Sequence, residues 1–170
     1  MTATQLLIPG GHRPPAPARW MNRITTPRSA PAAMLRVHRW LYIRSDGRIG
    51  AGMIGAWTLL LRTTGRRSGK QRTAALVFAQ DDGRIILAAS NDGKDTAPAW
   101  FHNLCANPQV EVQIGRQRSL GHASVVSATD ADYARLWSLM NGTNNRRYDA
   151  YQAKTSRPIP LVVVEPATDR

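Results

Sequence analysis

Six short apolar or alternating runs lie between residues 57 and 166, and each is typical of a β-strand. They are 57–63 (WTLLLRT), 73–79 (TAALVFA), 84–90 (RIILAAS), 109–115 (QVEVQIG), 120–127 (LGHASVVS) and 159–166 (IPLVVVEP). The first three follow one another closely enough to predict a three-stranded meander. Because helices do not alternate strictly with these strands, we predict an α+β fold built on a small, partly open and mainly antiparallel six-stranded β-barrel.

Four short helical segments are predicted around these strands. A basic amphipathic helix spans 32–44, a second spans 99–107 between Pro98 and Pro108, and two more lie at 133–140 and 146–154. Residues 1–30 are rich in proline and arginine and poor in apolar side chains, so we expect a mobile basic arm. The segment 31–170 is then expected to form a single domain.

Positive charge is concentrated in the first half of the chain. Residues 1–80 contain 13 of the 23 Lys and Arg residues but one acid, Asp46, and the formal net charge is +12. This asymmetry indicates an anionic partner: nucleic acid, an anionic lipid surface or a polyanionic small molecule. The single cysteine, Cys105, is consistent with a reducing cytoplasm.

The stretch RTTGRRSGKQR, residues 62–72, is the strongest candidate for an anion site. It contains five cationic side chains, three hydroxyl groups and two glycines, without any acid. A loop between two predicted strands is expected here, and its glycines free the backbone to approach a ligand closely. The spacing excludes a Walker A loop, which requires G-x-x-x-x-G-K-[ST]. A solvated hairpin loop is the alternative, although five bases without an acid favour anion binding.

Other candidate residues carry weaker signals. The small residues 88–90 (AAS) leave room for a planar ring, and Trp100 and Phe101 are either core residues or a pocket wall. Tyr148 and Tyr151 are spaced to lie on one helix face, where a structural role is equally compatible with the spacing. The four histidines are scattered, and no metal site or nucleophile motif is predicted.

Several blocks together resemble the deazaflavin-dependent nitroreductase family over about residues 36–166. They are LLLRTTGRRSGKQR, ILAASNDG, PAWFHNLCANPQVEVQIG and YQAKTSRPIPLVVVEP, in this order. The resemblance implies a split β-barrel related to the FMN-binding barrels. It also implies binding of coenzyme F420, a deazaflavin with a phosphate and a polyglutamate tail, and hydride transfer from it to an electron-poor acceptor such as a quinone, a nitroaromatic or a conjugated enone.

The resemblance also implies roles for individual residues. The anionic tail would bind Arg66, Arg67, Ser68, Gly69, Lys70 and Arg72. The deazaflavin ring would lie beside Ala75, Leu76 and Val77, against Ala88, Ala89 and Ser90, and near Trp100. Tyr148 would face the acceptor as the catalytic residue. The family often has an aromatic residue at the position of Val77, and a Tyr-Pro pair where this chain has NGTNN, so a more open or more polar pocket is expected.

Three alternatives remain open on the sequence. An FMN-dependent oxidoreductase could use the same barrel. A basic nucleic-acid-binding module is disfavoured, because aromatic residues form 6% of the chain and none alternates with the bases of the 62–72 stretch. Peripheral contact of the basic arm and first helix with an anionic membrane is compatible with a cytoplasmic reductase. The oligomeric state is not predicted.

Overall fold

The computed structural model describes residues 37, 40–45 and 58–167. The predicted basic arm, residues 1–30, and most of the predicted helix at 32–44 lie outside the described residues. Residues 40–44 are helical, and Tyr42 is fully buried, donating a hydrogen bond from its hydroxyl to the carbonyl of Thr58 at 2.7 Å. Val37 and Trp40 are both exposed.

Seven strands form one sheet in which every hydrogen-bonded pair of neighbours is antiparallel. Their order across the sheet is β2-β1-β5-β6-β7-β4-β3. They are β1 (Thr58–Thr64), β2 (Gln71–Val77), β3 (Ala79–Asp81), β4 (Arg84–Ala88), β5 (Gln109–Ile114), β6 (Gln117–Val126) and β7 (Leu161–Pro166). The α+β class and the curled antiparallel sheet are confirmed.

Two details of the predicted topology are wrong. The run 73–79 was expected to be one strand, but it divides at Phe78 into β2 and β3, which gives seven strands instead of six. The first three runs do not form a meander, because β2 pairs with β1 at one edge of the sheet while β3 and β4 form a hairpin at the other edge. Phe78 therefore connects β2, at one edge of the sheet, directly to β3, at the other edge.

This connection opens a split in the barrel wall. In the β3–β4 hairpin Ala79 faces Ile86, and the same register continued would place Val77 opposite Ala88 and Ala75 opposite Ser90. Instead, Val77 pairs with Thr58 of β1, and β2 does not pair with β4. The segments 75–77 and 88–90 therefore diverge from one hairpin and form the two edges of the split.

The side chains of the sheet pack into two core clusters, one on each face. The first core cluster contains Leu59, Leu61, Phe78, Ile85, Leu87, Ala89, Trp100, Leu104, Val110, Val112, Ile114, Ala123, Val162 and Val164. The second core cluster contains Ala79, Ile86, Ala88, Leu136, Met140, Tyr148, Leu161 and Val163. Because β4 and β7 are buried on both faces, they appear in the sequence as continuous apolar runs instead of alternating ones.

In the described segment 58–167, three α-helices cover this sheet: α1 (Ala99–Ala106), α2 (Tyr133–Gly142) and α3 (Arg147–Gln152). The helix α1 begins after Pro98 and ends before Asn107, as the sequence predicts, and its Trp100 and Leu104 enter the first core cluster. The helices α2 and α3 cover the second core cluster. A one-turn 3₁₀ helix, Asn91–Gly93, follows the end of β4.

An ion-pair network joins the β3–β4 hairpin to the start of α2. The guanidinium of Arg135 lies 2.7 Å from Oδ1 of Asp81 and 2.6 Å from Oδ1 of Asp132, and Arg84 also pairs with Asp81. The hydrogen bond from Arg135 is the main cause that lowers the pKa of Asp81 to about 2, with Arg84 contributing. The network therefore stabilises the folded chain most where Asp81 is ionised in both the folded and unfolded states.

Among the residues that the structure describes, there is no helix long and apolar enough to cross a membrane.

Candidate active site

The basic stretch forms the turn of the β1–β2 hairpin, as expected. The backbone N–H of Gly65 donates to the carbonyl of Lys70 at 2.8 Å, and the N–H of Gly69 donates to the carbonyl of Gly65 at 2.8 Å. Gly69 has a φ of +65°, a conformation that a side chain makes unfavourable, which explains the glycine at this position. The turn residues 66–70 and the following residues 71–73 are exposed to solvent.

Among the residues that the structure describes, one of the five cations in this stretch forms an ion pair and four do not. Arg62 lies within β1, and its Nη1 and Nη2 donate to Glu111 and Gln113 of the neighbouring strand β5 at 2.8 Å each. Arg66, Arg67, Lys70 and Arg72 form no ion pair with any residue that the structure describes. Positive charge concentrated on one exposed turn is the electrostatic arrangement that attracts a multiply anionic group.

Asn103 of α1 fixes the basic turn to the barrel. Its Oδ1 accepts the backbone N–H of Arg66 at 3.2 Å, and its Nδ2 donates to the hydroxyl of Thr63 at 3.1 Å. Both Asn103 and Thr63 are buried. Asn103 was not predicted as a site residue, although a polar residue in the middle of the apolar helix AWFHNLCA was a usable signal.

The residues expected around the ring divide between the two faces of the sheet. Leu76 packs against the first core cluster, which includes Ala89 and Trp100, so these three predicted residues share one environment. Ala75 and Val77 lie on the opposite face of β2, because side chains alternate along a strand. Ala88 enters the second core cluster, and Ser90 is buried just beyond the end of β4.

The 3₁₀ turn at Asn91–Gly93 packs directly against α3. Asn91 and Asp92 have positive φ angles of 48° and 59°, which are uncommon for residues with side chains. Gly93 has a φ of 81°, and a Cβ atom there would lie 2.6 Å from the carbonyl oxygen of Tyr151. Only glycine therefore permits this close contact between the turn and α3.

Tyr148 projects from α3 into the second core cluster and is 6% exposed. Burial is the main cause that raises the pKa of its hydroxyl well above the ordinary value, with smaller effects from Tyr151, Arg147 and Asp92. The hydroxyl forms no hydrogen bond with any residue that the structure describes. Its electrostatic neighbours place it at the polar junction between α3 and the 3₁₀ turn.

Tyr151 lies at the same junction but is only partly buried. Burial and then Asp92 raise the pKa of its hydroxyl, while Arg147 lowers it. The ring centroids of Tyr148 and Tyr151 are 6.0 Å apart in an edge-to-face arrangement. The two tyrosines that the spacing placed on one helix face are therefore neighbours, and both hydroxyls are protonated at neutral pH.

Comparison with known proteins identifies the relatives of this chain. Residues 34–166 match the family described as F420H(2)-dependent quinone reductase. The F420H(2)-dependent quinone reductase Rv1261c of Mycobacterium tuberculosis is 42% identical over 148 residues, which cover 86% of this chain and 96% of the relative.

Solved structures show the same fold. A structure of an F420-H2 dependent reductase (FDR-A) superposes with a TM-score of 0.58 at 33% identity, covering 64% of this chain and 93% of that chain. A chain described as a domain-swapped dimer gives a TM-score of 0.59 at 28% identity, covering 74% of this chain and 97% of that one. The predicted split barrel and family resemblance are confirmed: this chain belongs to the F420H(2)-dependent quinone reductase family.

Proposed function

We propose that this protein reduces a quinone with coenzyme F420 as the hydride donor. The observation that carries the proposal is the exposed basic turn: its Arg66, Arg67, Lys70 and Arg72 form no ion pair with any described residue, and β2 joins it to the segment 75–77. A phosphate and polyglutamate tail fits the turn, and a flat ring fits an opening lined by small and apolar residues. The family to which the chain belongs supports the same assignment.

The tail is proposed to bind the turn residues and the start of β2. These are Arg66, Arg67, Ser68, Gly69, Lys70 and Arg72. The guanidinium and ammonium groups supply charge, while the Ser68 hydroxyl and the exposed backbone amides supply shorter-range hydrogen bonds. Because Asn103 already fixes the backbone of Arg66, little of the turn needs to be ordered when the tail binds.

The ring is proposed to lie in the split between the two diverging edges. Ala75, Leu76 and Val77 form one edge, Ala88, Ala89 and Ser90 form the other, and Trp100 closes the interior. Small side chains at 88–90 leave the backbone accessible to a planar ring. When bound there, the deazaflavin supplies hydride chemistry, and the protein binds it, orients it and excludes water.

Tyr148 is proposed to donate a hydrogen bond to the acceptor. A quinone that receives a hydride gains two electrons and one proton, and a second proton from solvent completes the hydroquinone. Negative charge develops on the quinone oxygen during this change, and a donor aimed at that oxygen stabilises it. Since the raised pKa keeps the hydroxyl protonated, hydrogen-bond donation suits Tyr148 better than full proton transfer. Nitroaromatics and conjugated enones are further proposed acceptors, because they are electron-poor in the same way.

Contact with an anionic membrane surface is a second, separable proposal. Val37 is 56% exposed and Trp40 is 60% exposed, and Arg44 is exposed on the same short helical segment. Exposed tryptophan beside basic residues is typical of interfacial helices. We expect deletion of residues 1–30 to leave a folded, cofactor-binding domain and to reduce sedimentation with anionic vesicles. Loss of the cooperative thermal transition would instead make residues 1–30 structural.

A binding titration tests the cofactor assignment. Purified apo protein is titrated with oxidised F420, reduced F420 and FMN at fixed salt, and binding is followed by fluorescence and calorimetry. We expect F420 to bind much more tightly than FMN, because FMN lacks the polyglutamate tail. Tighter binding of FMN would replace this proposal with that of an FMN-dependent oxidoreductase.

A further inference from the structure

The connection between α3 and β7, residues 153–160, is fixed by side-chain hydrogen bonds to backbone groups. Gln152 accepts the N–H of Ile159 at 2.9 Å and donates to the carbonyl of Arg157 at 3.0 Å. The hydroxyl of Thr155 donates to Asp95 at 2.8 Å and accepts the N–H of Arg157 at 3.2 Å. These bonds fix the backbone of Arg157 on both sides, and hence the direction of its side chain.

The guanidinium of Arg157 lies behind one edge of the split. Its Nη2 is 3.2 Å from each of three carbonyl oxygens, those of Ala89, Ser90 and Lys94. Its Nε and Nη1 are buried without a hydrogen-bond partner in the part of the chain that the structure describes. No carboxylate among those residues pairs with it, so the cation is stabilised by backbone carbonyls alone.

Arg157 is partly buried, and its Nε and Nη1 are shielded from solvent without a hydrogen-bond partner among the described residues. Partial desolvation of a cation is unfavourable, and a neutral side chain can bond the same carbonyls without that cost. An arginine at this position is therefore better explained by a use for its charge as well as for its hydrogen bonds.

The geometry of the contacted peptide groups indicates that use. In a trans peptide the C=O and N–H point in opposite directions, and the structure has no cis peptide bond among the described residues. The N–H groups of Ser90 and Asn91 belong to the two peptides whose carbonyls face Arg157, so both point away from it. Neither N–H forms a hydrogen bond with any described residue. Ser90 is helical (φ −74°, ψ −36°), which turns both carbonyls towards the same side.

We propose that Arg157 is a positioning residue for the redox ring. It fixes the peptides of Ala89 and Ser90, polarises them, and so presents the N–H groups of Ser90 and Asn91 to the ring as strengthened donors. Hydrogen bonds in series strengthen one another, and a positive charge at one end increases the effect. Donors and a nearby cation both favour the more electron-rich form, so Arg157 makes the site bind the reduced cofactor better than the oxidised one. This inference rests on the proposed function.

The test compares the affinity of each variant for the two redox states of F420. Arg157→Gln removes the charge, whereas Arg157→Lys retains the charge but not the planar fork that spans three carbonyls. Arg116→Gln is the matched control, because it removes an exposed arginine from the β5–β6 turn, far from the split in the sheet order. Thermal unfolding of each apo protein verifies that it is folded.

We expect Arg157→Gln to weaken binding of reduced F420 about tenfold more than binding of oxidised F420, the scale of one charge at an effective dielectric constant of about 20. Arg157→Lys should retain the preference for the reduced form and lose affinity for both. The amide ¹⁵N and ¹H shifts of Ser90 and Asn91 in the apo protein should move in Arg157→Gln and not in Arg116→Gln.

Equal losses for both redox states in Arg157→Gln would reduce Arg157 to a structural clamp and overturn the inference. If Arg157→Gln does not fold, a changed redox preference in Arg157→Lys relative to wild type would overturn it equally, because the charge is still present. Failure of the wild-type protein to bind either form of F420 would remove the proposed function itself, an outcome distinct from unequal binding by the variants.

Discussion

Replacing Asn103 with alanine should loosen the basic turn without changing its charge, so the effects of position and charge on ligand binding can be measured separately. Asn103 joins α1 to the turn through two hydrogen bonds, one to the backbone of Arg66 and one to the hydroxyl of Thr63. The substitution removes both bonds and leaves all four unpaired cations in place. It therefore asks whether a fixed turn is required, or whether charge alone is sufficient.

The expected loss of stability follows from burial. Each hydrogen bond contributes about 0.5–1.5 kcal/mol net, and the hydroxyl of Thr63, a buried residue, loses a partner. We expect the free energy of unfolding to fall by about 2–3 kcal/mol, which corresponds to a decrease in Tm of about 5–10 °C for a chain of this size. If binding must then order about one further backbone residue, F420 affinity should fall about fivefold to thirtyfold.

The assay is urea unfolding together with F420 titration at several salt concentrations. Cys105→Ala is the matched control, because Cys105 is exposed on the same helix. The salt dependence of binding should be unchanged in Asn103→Ala, since the charges remain. Binding and stability equal to those of Cys105→Ala would refute the anchoring role, and a reduced salt dependence would show that charge was disturbed as well.

Three further predictions concern the turn, the acceptor side and the ion-pair network. The double variant Arg66→Ala/Arg72→Ala should bind F420 weakly and with little salt dependence, whereas wild-type affinity should fall as salt rises; wild-type-like binding would remove the turn from the tail site. Tyr148→Phe should slow quinone reduction about ten- to thousandfold with F420 affinity nearly unchanged, and wild-type turnover should show no Tyr148 ionisation below about pH 10, because its pKa is raised; equal single-turnover rates would leave Tyr148 as a wall of the pocket. Arg135→Gln should lower the free energy of unfolding slightly at pH 7, because ion pairs of exposed side chains are weakened by solvent and salt. Because the pKa of Asp81 is depressed to about 2 from 3.8, this contribution is present above pH 4 and lost as the pH falls towards 2; a stability difference that persists at pH 2 would contradict it.

Local signals in the sequence predicted most of the elements. The alternation in QVEVQI gave β5, and Pro98 and Asn107 bounded α1 as expected. The hairpin around residues 81–83 (DDG) has the three-residue β3 as its first strand instead of the whole run 73–79. No turn residue in the sequence marks the division at Phe78, where the chain changes its partner strand from β1 to β4. Strand order depends on contacts between distant segments, which a local pattern does not contain.

The same limit explains which site residues the sequence revealed. The basic turn was found because its charges are contiguous, and a local excess of one sign is visible without a structure. Asn103 and Arg157 were not assigned, because each acts on backbone groups far away along the chain. Arg66 is 37 residues from Asn103, and Ala89 is 68 residues from Arg157. For Asn103 a polar side chain inside an apolar helix was an available signal, whereas Arg157 lies in the polar segment KTSRP, which gives no such signal.

The strand β2 connects the two proposed parts of the ligand site. Ala74 and Leu76 face the first core cluster, so alternation places Arg72 on the same face, four residues before Leu76. At about 3.4 Å per residue, the Cα atoms of Arg72 and Leu76 lie roughly 14 Å apart along the strand. One strand in one register therefore supplies both a cation for the proposed tail site, Arg72, and an apolar side chain for the proposed ring site, Leu76. Because Thr63 pairs with Arg72 and Leu59 pairs with Leu76, β1 fixes that register, and a slip of one residue would turn both side chains to the other face. The buried leucines of β1 thus fix the position of both proposed parts of the ligand site.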